Sequence, residues 1–409
     1  MAHTVLGSVS LGYQLVWNTL RQLRGVHLFI GTHERTPVDG RQLLSALQAQ
    51  WSAQAPTLLL SVQSPQLLSD LLDHAPLDCP WLEVNNRYLR DPAIAQRVHQ
   101  AHQRGLPLVW RGDPGTRPSA ALAPCFARTM VTLSAEEALA GLRVSLRKHN
   151  GIDPARPSRV TSPVRAGHIY ESVPSRVLIE HCLDEQDVWG VAGWPMEDVL
   201  HGYRHRRIQP DHQALMALIN ALDTGQSMDT IEQLLSQEPV LAYCFLRYAN
   251  SAGLGLRTQI ESIRQGLMVL GFSLLRTWLH EQLPHATNNI NLAPVRSAMV
   301  LRARLMAQLL GSNHDAELRR EVFMCGLMSQ IDLLLGEPFC EALARFPFPQ
   351  RIHLAIQEHT GPHVPLLDLA TSLESANTQA TRTLCEEQGR NLEEVNLALL
   401  HTLQTQAAP

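Results

Sequence analysis

Nineteen histidines and seven cysteines give this 409-residue chain its widest stock of metal-ligating and nucleophilic side chains. His99 and His102 lie three apart on a polar helical pattern, His201 and His205 four apart, and His359 and His363 flank Gly361-Pro362. Such spacings let two imidazoles on a helix share a metal ion. None of these pairs has a matching Cys, Asp or further His nearby, so no metal and no cofactor is assigned. The cysteines, at 79, 125, 182, 244, 325, 340 and 385, never form a CxxC pair and read as reduced thiols, several of them in the core. Asn250-Ser251 offers a hydroxyl but no adjacent base, which makes it a structural turn. His314-Asp315 follows Gly311-Ser312-Asn313 and reads as a helix N-cap. Tyr203-Arg204-His205-Arg206-Arg207 could grip phosphate, yet it lacks aromatic interleaving, so nucleic acid is not expected as a partner.

These residues must be placed by two kinds of architecture. Hydrophobic residues make up 45% and charged residues 18%, a globular balance with room for two domains. The net charge of −4 creates no general field towards nucleic acid or an acidic membrane. No apolar run approaches the ~18 residues of a membrane span, and no basic leader precedes one, so a cytoplasmic protein is expected.

The stretch 238–279 predicts short reversing helices. Pro239 suits a first helical turn, and Val240, Leu241, Cys244, Phe245 and Tyr248 follow at helical spacing. Asn250 to Gly255 breaks that helix. Ile260, Ile263, Leu267 and Leu270 mark a second, stopped by Gly271 as a C′ glycine, and Ser273 caps a third through Leu274, Leu275 and Trp278. Asp229 and Glu232 read as a capping box upstream. Further helices are predicted at 294–311, 316–335, 349–373 (two, broken at Gly361-Pro362) and 391–404. This half is therefore all-α.

The pattern Glu-Pro-x-Leu… Tyr-Ala-Asn-Ser-Ala… Ile-x-Ser-Ile… Leu-Gly resembles the HDOD domain, a relative of the HD phosphohydrolases generally regarded as non-catalytic. Pro239, Asn250, Ser251, Ile263, Leu270 and Gly271 carry the resemblance. Active HD enzymes place a metal-binding His-Asp pair in a helix written roughly Gly-Leu-Leu-His-Asp-Ile-Gly. Here Gly326-Leu327-Met328-Ser329-Gln330-Ile331-Asp332 stands in its place, and neither Ser329 nor Gln330 is a usual ligand for a first-row metal.

The first two hundred residues alternate short apolar runs with helical patterns. Strands are predicted at 5–16, 26–30, 57–61, 81–84, 106–110, 129–133, 168–171 and 188–192. Helices are predicted at 40–52, 66–74, 91–103, 135–148 and 174–183. Alternation of this kind predicts an α/β domain with a largely parallel sheet, and eight strands suggest a barrel.

The architecture, and its position ahead of an HDOD-like unit, resemble the EAL domain, a barrel that hydrolyses cyclic di-GMP. Where that resemblance implies a first Glu, this chain reads Gly12-Tyr13-Gln14-Leu15-Val16. A metal-binding Asn is replaced by Ser61, and Glu83 matches a Glu on the following strand. An Asp-Asp-Phe-Gly strand end reads Arg111-Gly112-Asp113-Pro114, the Lys-x-Asp strand is absent near Thr129–Ser134, and Glu171 matches the last Glu. At ~4 Å and an effective dielectric near ~20, an inward Arg111 would oppose a divalent ion by about 8 kcal/mol. That corresponds to roughly six orders of magnitude in metal affinity.

The expected architecture is a degenerate (β/α)8-type EAL-like barrel over 1–200, joined through the charged segment Asp198–Gln213 to an HD-related all-helical HDOD domain over 201–409. The expected function is non-enzymatic: a bacterial signal-transduction or scaffold protein that binds unidentified signalling proteins. A cyclic di-GMP receptor without hydrolysis is the alternative, and an active metal-dependent phosphohydrolase ranks third.

Overall fold

A computed structural model describes residues 4–33, 38–149, 161–203, 209–255, 259–311, 313–336, 340–341 and 348–406. Most of the basic cluster, Arg204 to Arg207, lies outside them. The chain divides into two compact units, Met1–Pro195 with Thr371–Pro409, and Met196–Ala370.

In the first unit eight strands close a barrel in sequence order. They are β1 (Val9–Trp17), β2 (Leu23–Thr32), β3 (Thr57–Val62), β4 (Trp81–Asn85), β5 (Leu108–Arg111), β6 (Arg128–Thr132), β7 (Ile169–Glu171) and β8 (Gly190–Ala192). The predicted strands match these except that Val5–Ser8, expected to begin the first strand, is a turn of 3-10 helix, and that β1 runs antiparallel to both β2 and β8. The reason for that direction is the brevity of the connection after Trp17. It allows a hairpin but not the crossover that parallel neighbours need. The Asn18 carboxamide shapes that turn by accepting from the Leu20 and Gln22 N–H groups, each at 2.9 Å. From β2 to β8 every pairing is parallel.

The intervening helices start where their caps are. Ser64 and Asp91 each accept a backbone N–H ahead of Pro65 and Pro92, which satisfies an orphan donor of the first turn.

The tail departs from the expected division at 200. Helices Thr378–Glu387 and Leu392–Gln404 pack on the barrel, not with the preceding helices. Asn396, fully buried, donates to the Leu6 and Val9 carbonyls at 2.8 Å each. Gly12 has no side chain because a Cβ there would lie 2.1 Å from the Ser375 carbonyl oxygen. An amphipathic helix shows in sequence that it needs a core, but not which core. The sequence alone therefore groups the tail with its chain neighbours.

The second unit is helical in all its regular described elements. Glu238 caps the helix Pro239–Ala249 by accepting from the Leu241 N–H. Asn250 then clasps the turn: its Nδ2 donates to Leu246 and Ile260 carbonyls at 3.0 and 2.8 Å, and its Oδ1 accepts from the Ile260 N–H at 2.8 Å. Gly271 takes the positive φ expected of it, 70° with ψ 167°, and separates two helical segments of Ile263–Gln282 at a kink. The capping box gives way to Ser227, which accepts from Thr230, while Asp229 and Glu232 both pair with Arg264. The helix predicted over 316–335 breaks at Ser329-Gln330 into Ala316–Met328 and Ile331–Leu335. Among the described residues no helix is long and apolar enough to cross a membrane.

Asn396→Leu leaves two buried carbonyls without donors, each costing ~1–3 kcal/mol. Chemical denaturation is expected to show a loss of about 2–4 kcal/mol, confined to the transition of the barrel unit.

Candidate functional site

Partnered residues on adjacent strands share a face, so the barrel interior follows from the register. Val16, Leu59, Val109, Met130, Ile169 and Ala192 form an apolar layer inside it, with Trp81 and Trp189. Next to it, towards the C-terminal ends of the parallel strands, the layer becomes polar: His27, Ser61, Glu83, Arg111, Thr132 and Glu171. Those ends are where barrel enzymes build their sites.

Glu83, only 4% exposed, is the hub. It hydrogen-bonds His27 Nε2 at 2.6 Å, accepts from Ser61 Oγ at 3.0 Å, and faces Arg111 Nη1 at 3.5 Å. Arg111, the last residue of β5, forks onto Glu171, the last of β7: Nε to Oε1 at 2.9 Å and Nη2 to Oε2 at 2.8 Å. Thr132 Oγ1 also donates to Glu171 Oε1, at 2.8 Å. A bidentate guanidinium–carboxylate pair is strong and fixed in direction. Burial is the largest influence on Glu83 and favours its neutral form. The combined pull of His27, Arg111 and Ser61 exceeds it and holds the carboxyl below its ordinary value of 4.5. Burial likewise works against the Arg111 charge, but Glu83 and Glu171 outweigh it and raise its pKa.

Gln14 is not among these partners. It faces Gly193, where a Cβ would meet Gln14 Nε2 at 2.7 Å. Its cross-strand partner His27 supplies the interaction with Glu83 instead. Sequence reading missed His27, whose one signal is a lone polar residue within the apolar run VHLFI. Gly112 makes room for the Trp110 ring, 2.4 Å from where its Cβ would be. Asp113 is exposed and stands apart from Glu83 and Glu171.

The fit of a divalent ion is decided by charge. The space between Glu83 and Glu171 is spanned by a cation that cannot be deprotonated at ordinary pH. Among the described residues no group of three or more His, Cys, Asp or Glu side chains is arranged to hold a metal ion. The residues as arranged do not fit one.

The helical unit shows a parallel substitution. Buried Arg302 donates to Ser329 Oγ at 3.2 Å, and the Gln330 amide oxygen, turned towards it, lies 3.1 Å from Nη2. Ser329 also donates to the Gly326 carbonyl at 2.7 Å. A guanidinium thus occupies the neighbourhood in which the HD resemblance implies a metal pair. Pro239 and Ile263 are buried, Ser251 opens the turn after Asn250, and Leu270 precedes the kink.

Residues 210–342 match the family model of the HDOD domain. The chain is 26% identical over 198 residues to a protein of Vibrio cholerae serotype O1 named cyclic di-GMP phosphodiesterase CdgJ, covering 48% of this chain and 46% of that one. It is 25% identical over 181 residues to the uncharacterized protein YuxH of Bacillus subtilis, covering 43% of each. It therefore spans less than half the length of either relative. Among solved structures it is similar to the MmoQ response regulator from Methylococcus capsulatus str. Bath, with TM-score 0.37, 16% identity, and 48% of this chain and 98% of that one covered. A virulence factor from Campylobacter jejuni subsp. jejuni gives TM-score 0.36 and 15% identity, with 52% and 98% covered. The expectation that the chain is not an enzyme is corrected here, because the Vibrio cholerae relative is named a phosphodiesterase.

Since the folded state holds the Glu83 carboxyl below 4.5, its contribution to stability is complete above that value. It disappears as pH falls through the folded-state value. Glu83→Gln is expected to flatten the acid side of the stability–pH curve while lowering stability near neutrality. Arg111→Met, which leaves Glu83 and Glu171 without their shared cation, is expected to cost about 2–3 kcal/mol near neutral pH by chemical denaturation. A loss that is complete at pH 7 and begins to shrink only below 4.5, as pH approaches the folded-state value of Glu83, would identify the ion pairs as its source.

Proposed function

We propose, from a helical unit that carries an HDOD domain over residues 210–342, that the protein acts in cyclic di-GMP signalling. In this reading the HDOD domain engages a partner signalling protein. The barrel, of EAL type with altered strand ends, is the nucleotide-responsive module. The observation that carries the reading is the Arg111 guanidinium at the mouth of an eight-stranded barrel, spanning Glu83 and Glu171. Arg111 is 26% exposed and can present its remaining N–H groups to a phosphodiester, the geometry for which arginine is suited. The similarity to a protein named a cyclic di-GMP phosphodiesterase supports the choice of nucleotide. All seven cysteines are free thiols, which supports a cytoplasmic setting.

A hydrolytic reading draws on Glu83, Glu171 and that relative's name. It requires Arg111 to leave the space between the carboxylates, because the present arrangement does not fit a divalent ion.

Calorimetric titration of the full chain with cyclic di-GMP, with and without Mn²⁺, tests the proposal. Saturable binding without Mn²⁺ is expected, weakened about tenfold or more by Arg111→Ala. Absence of heat, or an affinity indifferent to Arg111, would contradict it. Product analysis of the Mn²⁺ samples measures turnover directly and tests the hydrolytic reading.

A further inference from the structure

The opposite end of the barrel carries a second cluster of charged and aromatic groups. Trp81 opens β4 and Trp189 directly precedes β8, and their ring centroids are 4.8 Å apart. Arg128, the first residue of β6, lies over both, its Cζ 5.3 Å from the Trp81 centroid and 5.5 Å from that of Trp189. Arg24 lies 4.6 Å from the Trp189 centroid. Beside them is a cavity of about 200 Å³ lined by Trp81, Pro107, Leu108, Val109, Ala127 and Arg128.

The two guanidiniums are poorly neutralised. Arg24 donates to the Trp189 carbonyl at 2.8 Å and Arg128 to the Gly167 carbonyl at 2.5 Å. Among the described residues neither pairs with a carboxylate. Burial and then the charge of Arg24 lower the Arg128 pKa. Nearby His168 is lowered by burial, then by Arg165, Arg117 and Arg128. Like charges held together beside a cavity, with most of their N–H groups unused, favour an anion.

We propose that this N-terminal end of the barrel is a ligand site for a small phosphate monoester, seated between Arg24 and Arg128 with its substituent in the cavity against Trp81. The cavity is smaller than the ~300–1,000 Å³ of drug-sized sites, so it takes a mononucleotide-sized fragment or less and excludes a dinucleotide. The proposal is independent of the reading of the opposite mouth. The bottom face of such barrels usually serves stability, and that is the rival account.

Inorganic phosphate and a nucleoside monophosphate, each titrated into the full chain and followed by tryptophan fluorescence and phosphorus NMR line width, provide the test. Saturable binding in the low millimolar range or tighter is expected. It should weaken with added salt and by about tenfold or more in Arg128→Ala and in Arg24→Ala. Arg24 is exposed, so its variant separates lost binding from lost folding. Tighter binding of the monophosphate than of phosphate supports a substituent against Trp81, and equal binding would overturn its place in the cavity. Failure of both ligands to saturate, or unchanged affinity in both variants, would mean that the stacked arginines only fasten the barrel.

Discussion

The guanidinium of Arg111, shared between Glu83 and Glu171, is the interaction around which the barrel's polar layer is built. Two carboxylates within one barrel interior repel each other and lose hydration. Burying such a pair is costly without a cation close at hand. Arginine meets this need with direction as well as charge, because its planar fork aligns with one carboxylate while a third nitrogen turns to the other. His27, Ser61 and Thr132 then take up acceptor positions the guanidinium leaves open. Through these contacts β2 to β7 are tied across the interior as well as along their edges. The apolar layer beneath, with Met130 and Ile169 fully buried, keeps water from that side.

A similar economy is visible in the helical unit taken by itself. Arg302 is buried against Ser329 and the Gln330 amide, at the break between two helices. Two neutral side chains there lie against a guanidinium, where the HD resemblance implies anionic and imidazole ligands around a metal. Asn250, which sequence reading took for a turn and not a nucleophile, spends its carboxamide on three backbone bonds.

Much of this was legible in the sequence, and what was not has physical reasons. The strands show as short apolar runs, and Asp91-Pro92 marks its helix start because cap and fixed φ coincide. The direction of β1 was not legible from its apolar pattern, since alternation is the same for either orientation; only the short link after Trp17 encodes it. His27 was hidden by its apolar neighbours, whereas Arg111 stood out as a charge at a strand end. Gly271 was legible as a helix break because positive φ interrupts helical geometry, whereas the immediate restart across a kink was not. The return of the tail to the barrel rests on long-range bonds from Asn396 that no local pattern announces.

Anomalous diffraction from crystals of the full chain soaked in Mn²⁺ near neutral pH addresses the central claim most directly. The expected map shows the Arg111 guanidinium between Glu83 and Glu171 and no anomalous peak there. A manganese peak bridging those two carboxylates, with Arg111 displaced, would contradict the account.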